Sequence, residues 1–246
     1  MPQATDGDRP AGRNPAASRA AGAGGAPAKE NLERWICLDV GETLIDETRI
    51  WSTWADELGV PRLTFMAAFG TAVARGGEHQ DVFSIVGRTD WREHLPRVME
   101  QIGAFRPEDL YPDALPAVAS LRALGYRLAV IANQPAHRAA ELRALGIDAD
   151  VVAMSEDMGL HKPDPAFFDA ALSLMGNPEP ASVAYVGDRA DNDVRPSAAA
   201  GMRAIWLRRG PWGVIHAQPS EAVLVVDSLA ELVDRIGEAW PALAVA

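Results

Sequence analysis

Apolar residues recur along this chain in two alternating rhythms. Short, predominantly apolar runs occupy residues 35–40, 127–132, 150–154, 182–186, 203–207 and 222–226. Runs of this length, bounded by polar and glycine-bearing stretches, predict strands buried on both faces. Between them lie segments 113–124, 135–145, 165–175 and 191–200, whose apolar residues are spaced for one face of a helix. Each such segment is followed at once by a glycine: Gly125, Gly146, Gly176 or Gly201. Glycine takes the left-handed turn that ends a helix at little cost. Strand–helix alternation at this spacing predicts an α/β fold with a parallel sheet covered on both faces.

One interval breaks the rhythm. Residues 46–111 carry no clear strand, only helix-like segments at about 47–58, 63–75 and 88–102, punctuated by Gly59-Val60-Pro61 and Gly76-Gly77. This reads as a helical insertion placed just after the first strand. Ahead of that strand, the first 30 residues are rich in Ala, Gly and Pro, with almost no large apolar side chain. Such a segment buries too little surface to offset its ordering entropy. The expected organisation is a disordered tail at 1–31, an α/β core at 32–45 and 112–240, and a helical cap at 46–111.

Composition narrows the class. No apolar run approaches the ~20 residues of a membrane-spanning helix, and the first 30 residues have no apolar secretory segment. A cytoplasmic location is the expectation, in keeping with the single cysteine, Cys37, which sits inside the first apolar run. The net charge is −11. In the first 30 residues, Arg9, Arg13, Arg19 and Lys29 oppose Asp6, Asp8 and Glu30, so the remainder carries −12. That balance disfavours binding to nucleic acid or to an anionic membrane surface. Arg203, Arg208 and Arg209 read as surface charge. Oligomeric state is not legible.

Four short segments at strand ends carry candidate chemistry. They are Asp39-Val40-Gly41-Glu42-Thr43, Ala132-Asn133-Gln134-Pro135, His161-Lys162-Pro163-Asp164 and Gly187-Asp188-Arg189-Ala190-Asp191-Asn192-Asp193. In a parallel sheet such ends converge on one crevice. It would hold Asp39, Asp188, Asp193 and Lys162. Several close carboxylates need a cationic partner to stay ionised, and Mg²⁺ takes hard oxygen ligands. Asp39 is suited to act as a carboxylate nucleophile. Lys162 is one of only two lysines among 21 arginines, the other being Lys29. An ammonium point charge is what a phosphoryl group or a nucleophilic carboxylate requires there. Asp191 and Asn192 read as caps of the helix that follows.

These four segments, in this order, resemble the haloacid dehalogenase-like (HAD) superfamily over roughly residues 33–227. The resemblance implies a Rossmann-like doubly wound parallel sheet with an inserted α-helical cap of the C1 type, and Mg²⁺-assisted chemistry through an aspartyl enzyme intermediate. It makes Asp39 the nucleophile, Lys162 the third-motif lysine, and Asp188 and Asp193 the metal-binding acids. Mg²⁺ would also take the backbone carbonyl of Gly41.

Two departures stand out. Phosphatases of the superfamily usually carry Asp at the Gly41 position, as proton donor to the leaving group and then as base toward water. The second motif usually offers a hydroxyl, where this chain has Ala132. The Asn133 amide is the candidate replacement that would bind substrate. Glu42 stands beside the missing proton shuttle, and His79, Asp90, Glu93 and His94 are candidates from the cap. Trp51 and Trp54 share a helix face and, with Trp91, read as packing residues or a substrate wall. A phosphonatase would need a cap lysine, absent from 46–111, and the superfamily's transport ATPases need membrane spans. The leading expectation is therefore a phosphatase acting on a small phosphorylated metabolite. A dehalogenase-like hydrolase and a non-catalytic binding protein are the alternatives.

Overall fold

Six strands form one sheet: β1 (Trp35–Leu38), β2 (Arg127–Ala132), β3 (Val151–Met154), β4 (Val183–Gly187), β5 (Arg203–Leu207) and β6 (Leu224–Val226). Their spatial order is β3-β2-β1-β4-β5-β6, and every neighbouring pair is parallel. The structure, a computed structural model, describes residues 33–240. The tail expected at 1–31 lies outside them. All six expected strands are present, with some ends trimmed.

Eleven α-helices are assigned among the described residues. In the insertion these are α1 (Thr48–Glu57), α2 (Arg62–Ala74), α3 (Asp81–Ile85) and α4 (Trp91–Ile102). Around the sheet come α5 (Ala114–Ala123), α6 (Arg138–Ala144), α7 (Ser155–Met158), α8 (Pro165–Leu174), α9 (Arg195–Ala199), α10 (Gly210–Ile215) and α11 (Leu229–Arg235). The helix expected at 191–200 is split: a π-helical turn over Ala190–Val194 precedes α9. Such turns are rare and gather at functional sites.

Alternation along β1 divides the sheet's two faces. Ile36 and Leu38 join Leu128, Val130 and Val186 in a core covered by α5, α6 and α11. Trp35 and Cys37 face the other way, with Tyr185, against Phe167 and Phe168 of α8. Cys37 is fully buried, and burial pushes its thiol pKa up, so it is an inert core residue.

The insertion has a core of its own, built on Trp54, Phe65, Phe69, Phe83, Val98 and Ile102. Trp54 packs edge-on against Phe83 and Trp91. Trp212 of α10 also belongs to this core, so a side chain from beyond β5 completes the packing of the insertion. The two connecting segments pair as a short antiparallel bridge between Ile45 and Leu110. Arg49 of α1 locks the second of them through a two-pronged bond to Asp109, at 2.7 and 2.6 Å. No helix among the described residues is long and apolar enough to cross a membrane.

Arg209 departs from the expected surface role, whereas Arg208 pairs with Asp227 at the surface. Arg209 is nearly buried: it binds the Asp113 carboxylate, donates to the Thr43 carbonyl at 3.1 Å and stacks on Tyr111. Asp113 in turn accepts from the Leu229 N–H that opens α11. Arg209→Ala is expected to destabilise the fold by about 2 kcal/mol, read as a lower urea midpoint at unchanged slope, because it removes charge-assisted bonds from a nearly buried carboxylate.

Candidate active site

The chain runs outward from β1 through β2 to β3, then returns to β4 on the other side of β1. The crevice outside the carboxyl ends of β1 and β4 is thus the topological switch point, where ligands bind in such sheets. Asp39 leaves β1 there, and its N–H donates to the Val186 carbonyl of β4 at 3.0 Å. Asp188 follows β4 directly. The π-helical turn folds Asp193 back onto the same spot, where its Oδ2 accepts from the Arg189 N–H at 2.9 Å. Gly187 makes this possible: a Cβ there would lie 2.3 Å from Asp193 Oδ2. Lys162 arrives from the loop before α8 and donates to Asp39 Oδ1 at 2.7 Å and Asp193 Oδ1 at 2.6 Å.

Asp39, Asp188 and Asp193 each place a carboxylate oxygen within 4.8 Å of the other two, and all three are buried. Asp188 Oδ2 is buried with no hydrogen-bond partner among the described residues. One ammonium against three carboxylates leaves this centre short of positive charge. Burial raises the Asp193 pKa to about 6 despite the Lys162 charge. Asp188 is pushed well up by burial and then by the charges of Asp193 and Asp39. Burial alone would lower Lys162, but the Asp193 and Asp39 charges outweigh it and hold the ammonium. The donor set is all oxygen, compact and orphaned at one atom, which fits a small hard divalent cation. The Gly41 carbonyl accepts no hydrogen bond among the described residues, so it remains open as a further ligand.

The turn after Asp39 is unusual. Glu42 has φ of +50°, a left-handed conformation that side chains other than Asn, Asp and Gly rarely adopt. Its carboxylate is fully engaged: Oε1 accepts from the Glu47 N–H at 3.0 Å, and Oε2 accepts from the Tyr111 hydroxyl. Gly210 lies against it so closely that a Cβ would sit 2.6 Å from Glu42 Cβ.

A cavity of about 60 Å³ opens over Asp39, lined also by Gly41, Glu47, His79, Lys162 and Arg189. Glu47, just ahead of α1, keeps some accessible surface on this cavity. Its Oε2 accepts from Trp51 Nε1 at 3.1 Å. Burial and then the Glu42 charge push its pKa up to about 8. His79 stacks on Trp51 and packs against Trp212, and burial and then the Arg189 charge push its pKa down.

The remaining candidates sort by position. Asn133 lines the cavity, yet its amide is largely spent on the Lys162 backbone: Oδ1 accepts from the Lys162 N–H at 2.8 Å and Nδ2 donates to the Lys162 carbonyl at 3.0 Å. That clamp positions the lysine and leaves one N–H for a ligand. Of the four cap candidates, only His79 reaches the cavity. Asp90 is held by Arg88 and His94 by Glu57, while Glu93 is exposed. Asp191 pairs with Arg189 rather than capping a helix, and Arg189 also reaches Glu78 of the insertion at 3.0 Å. Three cavity residues carry no signal in the sequence: Glu47, Arg189 and Trp212. Their roles depend on contacts between core and insertion that no local motif encodes.

The chain is similar to known proteins in sequence and in fold. A glyceraldehyde 3-phosphate phosphatase of Methanopyrus kandleri is 34% identical over 133 residues, covering 52% of this chain and 57% of the relative. A phosphoserine phosphatase of Thermus thermophilus is 38% identical over 104 residues, covering 41% of each. The chain thus spans about half the length of the curated relatives it matches. The solved structure of a HAD phosphatase from Thermococcus onnurineus superposes with a TM-score of 0.56 at 22% identity, over 83% of this chain and 98% of that one, a likeness of fold. Residues 33–201 match the description of one hydrolase family. This chain belongs to the haloacid dehalogenase-like hydrolases.

Proposed function

We propose that this protein is a Mg²⁺-dependent phosphatase that acts on a small phosphorylated metabolite through an aspartyl-phosphate on Asp39. The observation that carries the proposal is the buried triad of Asp39, Asp188 and Asp193, with its orphaned Asp188 oxygen, clasped by Lys162 at the switch point. Asp39, Asp188, Asp193 and the Gly41 carbonyl would hold Mg²⁺. The ion would supply charge neutralisation to the carboxylates and to the phosphoryl oxygens.

The chain's own groups do the rest. Lys162 fixes Asp39 through Oδ1, which holds the nucleophile in one rotamer before substrate arrives. Its ammonium stays in place as charge develops on the transferred phosphoryl group. Asn133 keeps the lysine loop from moving and offers its remaining N–H to the substrate. Trp212, His79 and the insertion cover the crevice and limit the water that reaches it. Similarity to phosphatases of glyceraldehyde 3-phosphate and phosphoserine supports a small substrate. A dehalogenase-like reading is less well supported, because carbon–halogen displacement gives an acid cluster of this kind no task.

The test is phosphate release from a panel of phosphomonoesters in Mg²⁺ buffer. Release at the buffer background on every ester would sink the proposal. The cation site has its own readout in thermal unfolding. Wild type should gain about 2.7 kcal/mol at Mg²⁺ a hundredfold above Kd. Asp188→Asn should lose that gain. Without Mg²⁺ the same variant should be no less stable than wild type, since it removes an acid from a centre that sets three carboxyl groups against one ammonium. Equal Mg²⁺ responses in the two proteins would exclude Asp188 as a ligand.

A further inference from the structure

One carboxyl group on the cavity wall takes no part in the roles above. It belongs to Glu47. Gly41 has no side chain, and a Cβ built on its backbone would lie 2.7 Å from Glu47 Oε1. Glu47 therefore fills the volume of the side chain that residue 41 lacks. Trp51 Nε1 holds its Oε2 at 3.1 Å and fixes the rotamer. Oε1 accepts no hydrogen bond from the described residues and lies on the cavity shared with Asp39.

The other proton-carrying groups on that cavity are committed elsewhere. Both oxygens of Glu42 are engaged, by Tyr111 and by the Glu47 backbone. Lys162 is bound to two carboxylates. Arg189 is paired with Glu78 and Asp191, and a guanidinium does not give up its proton in proteins. His79 is the exception, since no hydrogen bond holds its ring nitrogens among the described residues, but burial and then the Arg189 charge lower its pKa to about 4, so near neutral pH the imidazole has no acidic proton to give a leaving group. Glu47 alone combines a fixed rotamer with a free carboxyl oxygen in a residue that lines the same cavity as the nucleophile.

We infer that Glu47 is the general acid and base of the reaction, delivering from the first turn of the insertion the carboxyl group that the Gly41 position does not supply. The inference rests on the phosphatase reading. In the first step an Asp39 oxygen bonds to phosphorus and the bond from phosphorus to the leaving-group oxygen breaks. The Glu47 proton moves to that oxygen, which departs as the alcohol, and Glu47 is left as the carboxylate. In the second step Glu47 takes a proton from water, whose oxygen attacks the same phosphorus. The bond to Asp39 breaks, which restores the Asp39 carboxylate and the Glu47 acid and frees inorganic phosphate.

The test uses the full chain in Mg²⁺ buffer with two probes: an alkyl phosphate that wild type hydrolyses, and p-nitrophenyl phosphate, whose leaving group needs no proton. Glu47→Gln keeps the size of the side chain and an acceptor for Trp51, and removes the transferable proton. It should lose about 10²–10⁴-fold on the alkyl phosphate. On p-nitrophenyl phosphate it should still release one equivalent of nitrophenol in a burst, then stall as phosphorylated protein. A second variant, Glu47→Ala with Gly41→Asp, moves the carboxyl from one backbone position to the other. It should recover alkyl-phosphate turnover relative to Glu47→Ala alone. Wild-type turnover by Glu47→Gln, or equal losses on both probes with no burst and no recovery in the double variant, would overturn the assignment. Wild type and Asp39→Asn run alongside. If both are silent on every ester, the phosphatase reading falls and takes this role with it. If wild type is active and Glu47→Gln matches it, only the role of Glu47 falls.

Discussion

Asp39→Asn should abolish phosphate release, by at least ~10⁴-fold in kcat, in a protein that still folds. An amide at this position cannot attack phosphorus, and Asp39 is the one carboxylate lining the cavity that Lys162 holds by a hydrogen bond. The geometry explains why the fold survives. Lys162 keeps its bond to Asp193 at 2.6 Å and can still donate to the amide oxygen that takes the place of Asp39 Oδ1. One negative charge also leaves a centre that holds three carboxylates against one ammonium. The variant should therefore be no less stable than wild type without Mg²⁺. The check pairs a phosphate-release assay with a thermal melt. Retained turnover would remove Asp39 as nucleophile. Lost turnover with lost folding would mean that Asp39 serves the structure.

Lys162→Met should damage both function and fold. The ammonium is the only side-chain cation in hydrogen-bond contact with Asp39 and Asp193 among the described residues, and it is buried. Methionine fills a similar volume but leaves two facing carboxylates without a counter-charge. Breaking a buried ion pair from one side typically costs about 3–5 kcal/mol. Turnover should fall by at least ~10²-fold, because a preorganised cation at developing charge is lost. Chemical denaturation without Mg²⁺ would show the stability loss directly. Adding Asp193→Asn to Lys162→Met should recover part of the stability and none of the activity. Recovery of activity would argue that Lys162 acts only to neutralise Asp193.

The number of strands and their places along the chain can be read from the sequence because both depend on short-range pattern, whereas the order of the strands across the sheet depends on pairings between distant segments. Six apolar runs of strand length correspond to six strands, and the acids at the ends of β1 and β4 meet because those strands are neighbours. Elements shorter than two or three helical turns leave no usable period, which is why α3, α7 and α10 have no signal of their own. α11 does have one: Ser228 caps it by accepting from the Glu231 N–H, a pattern visible as Ser-x-x-Glu. Arg209 reads as surface charge because its partner, Asp113, is 96 residues away. Glu47 is invisible for a related reason. Only the turn through Glu42 brings residue 47 over residue 41, and that turn runs through a backbone conformation that composition does not announce.

Trp212 places a constraint on how this protein is made. The insertion is synthesised early, yet its core includes a side chain encoded about a hundred residues after α4 ends. Domains of growing chains tend to settle in order of emergence. Here α1 to α4 leave the ribosome with Phe69 and its neighbours lacking their last ring, and β1 waits just as long for β4. Both gaps close only when the chain from β4 through α10 arrives. Newly made chains must therefore keep an unfinished apolar surface shielded through much of their translation, and the insertion and the sheet reach their finished packing as one late event.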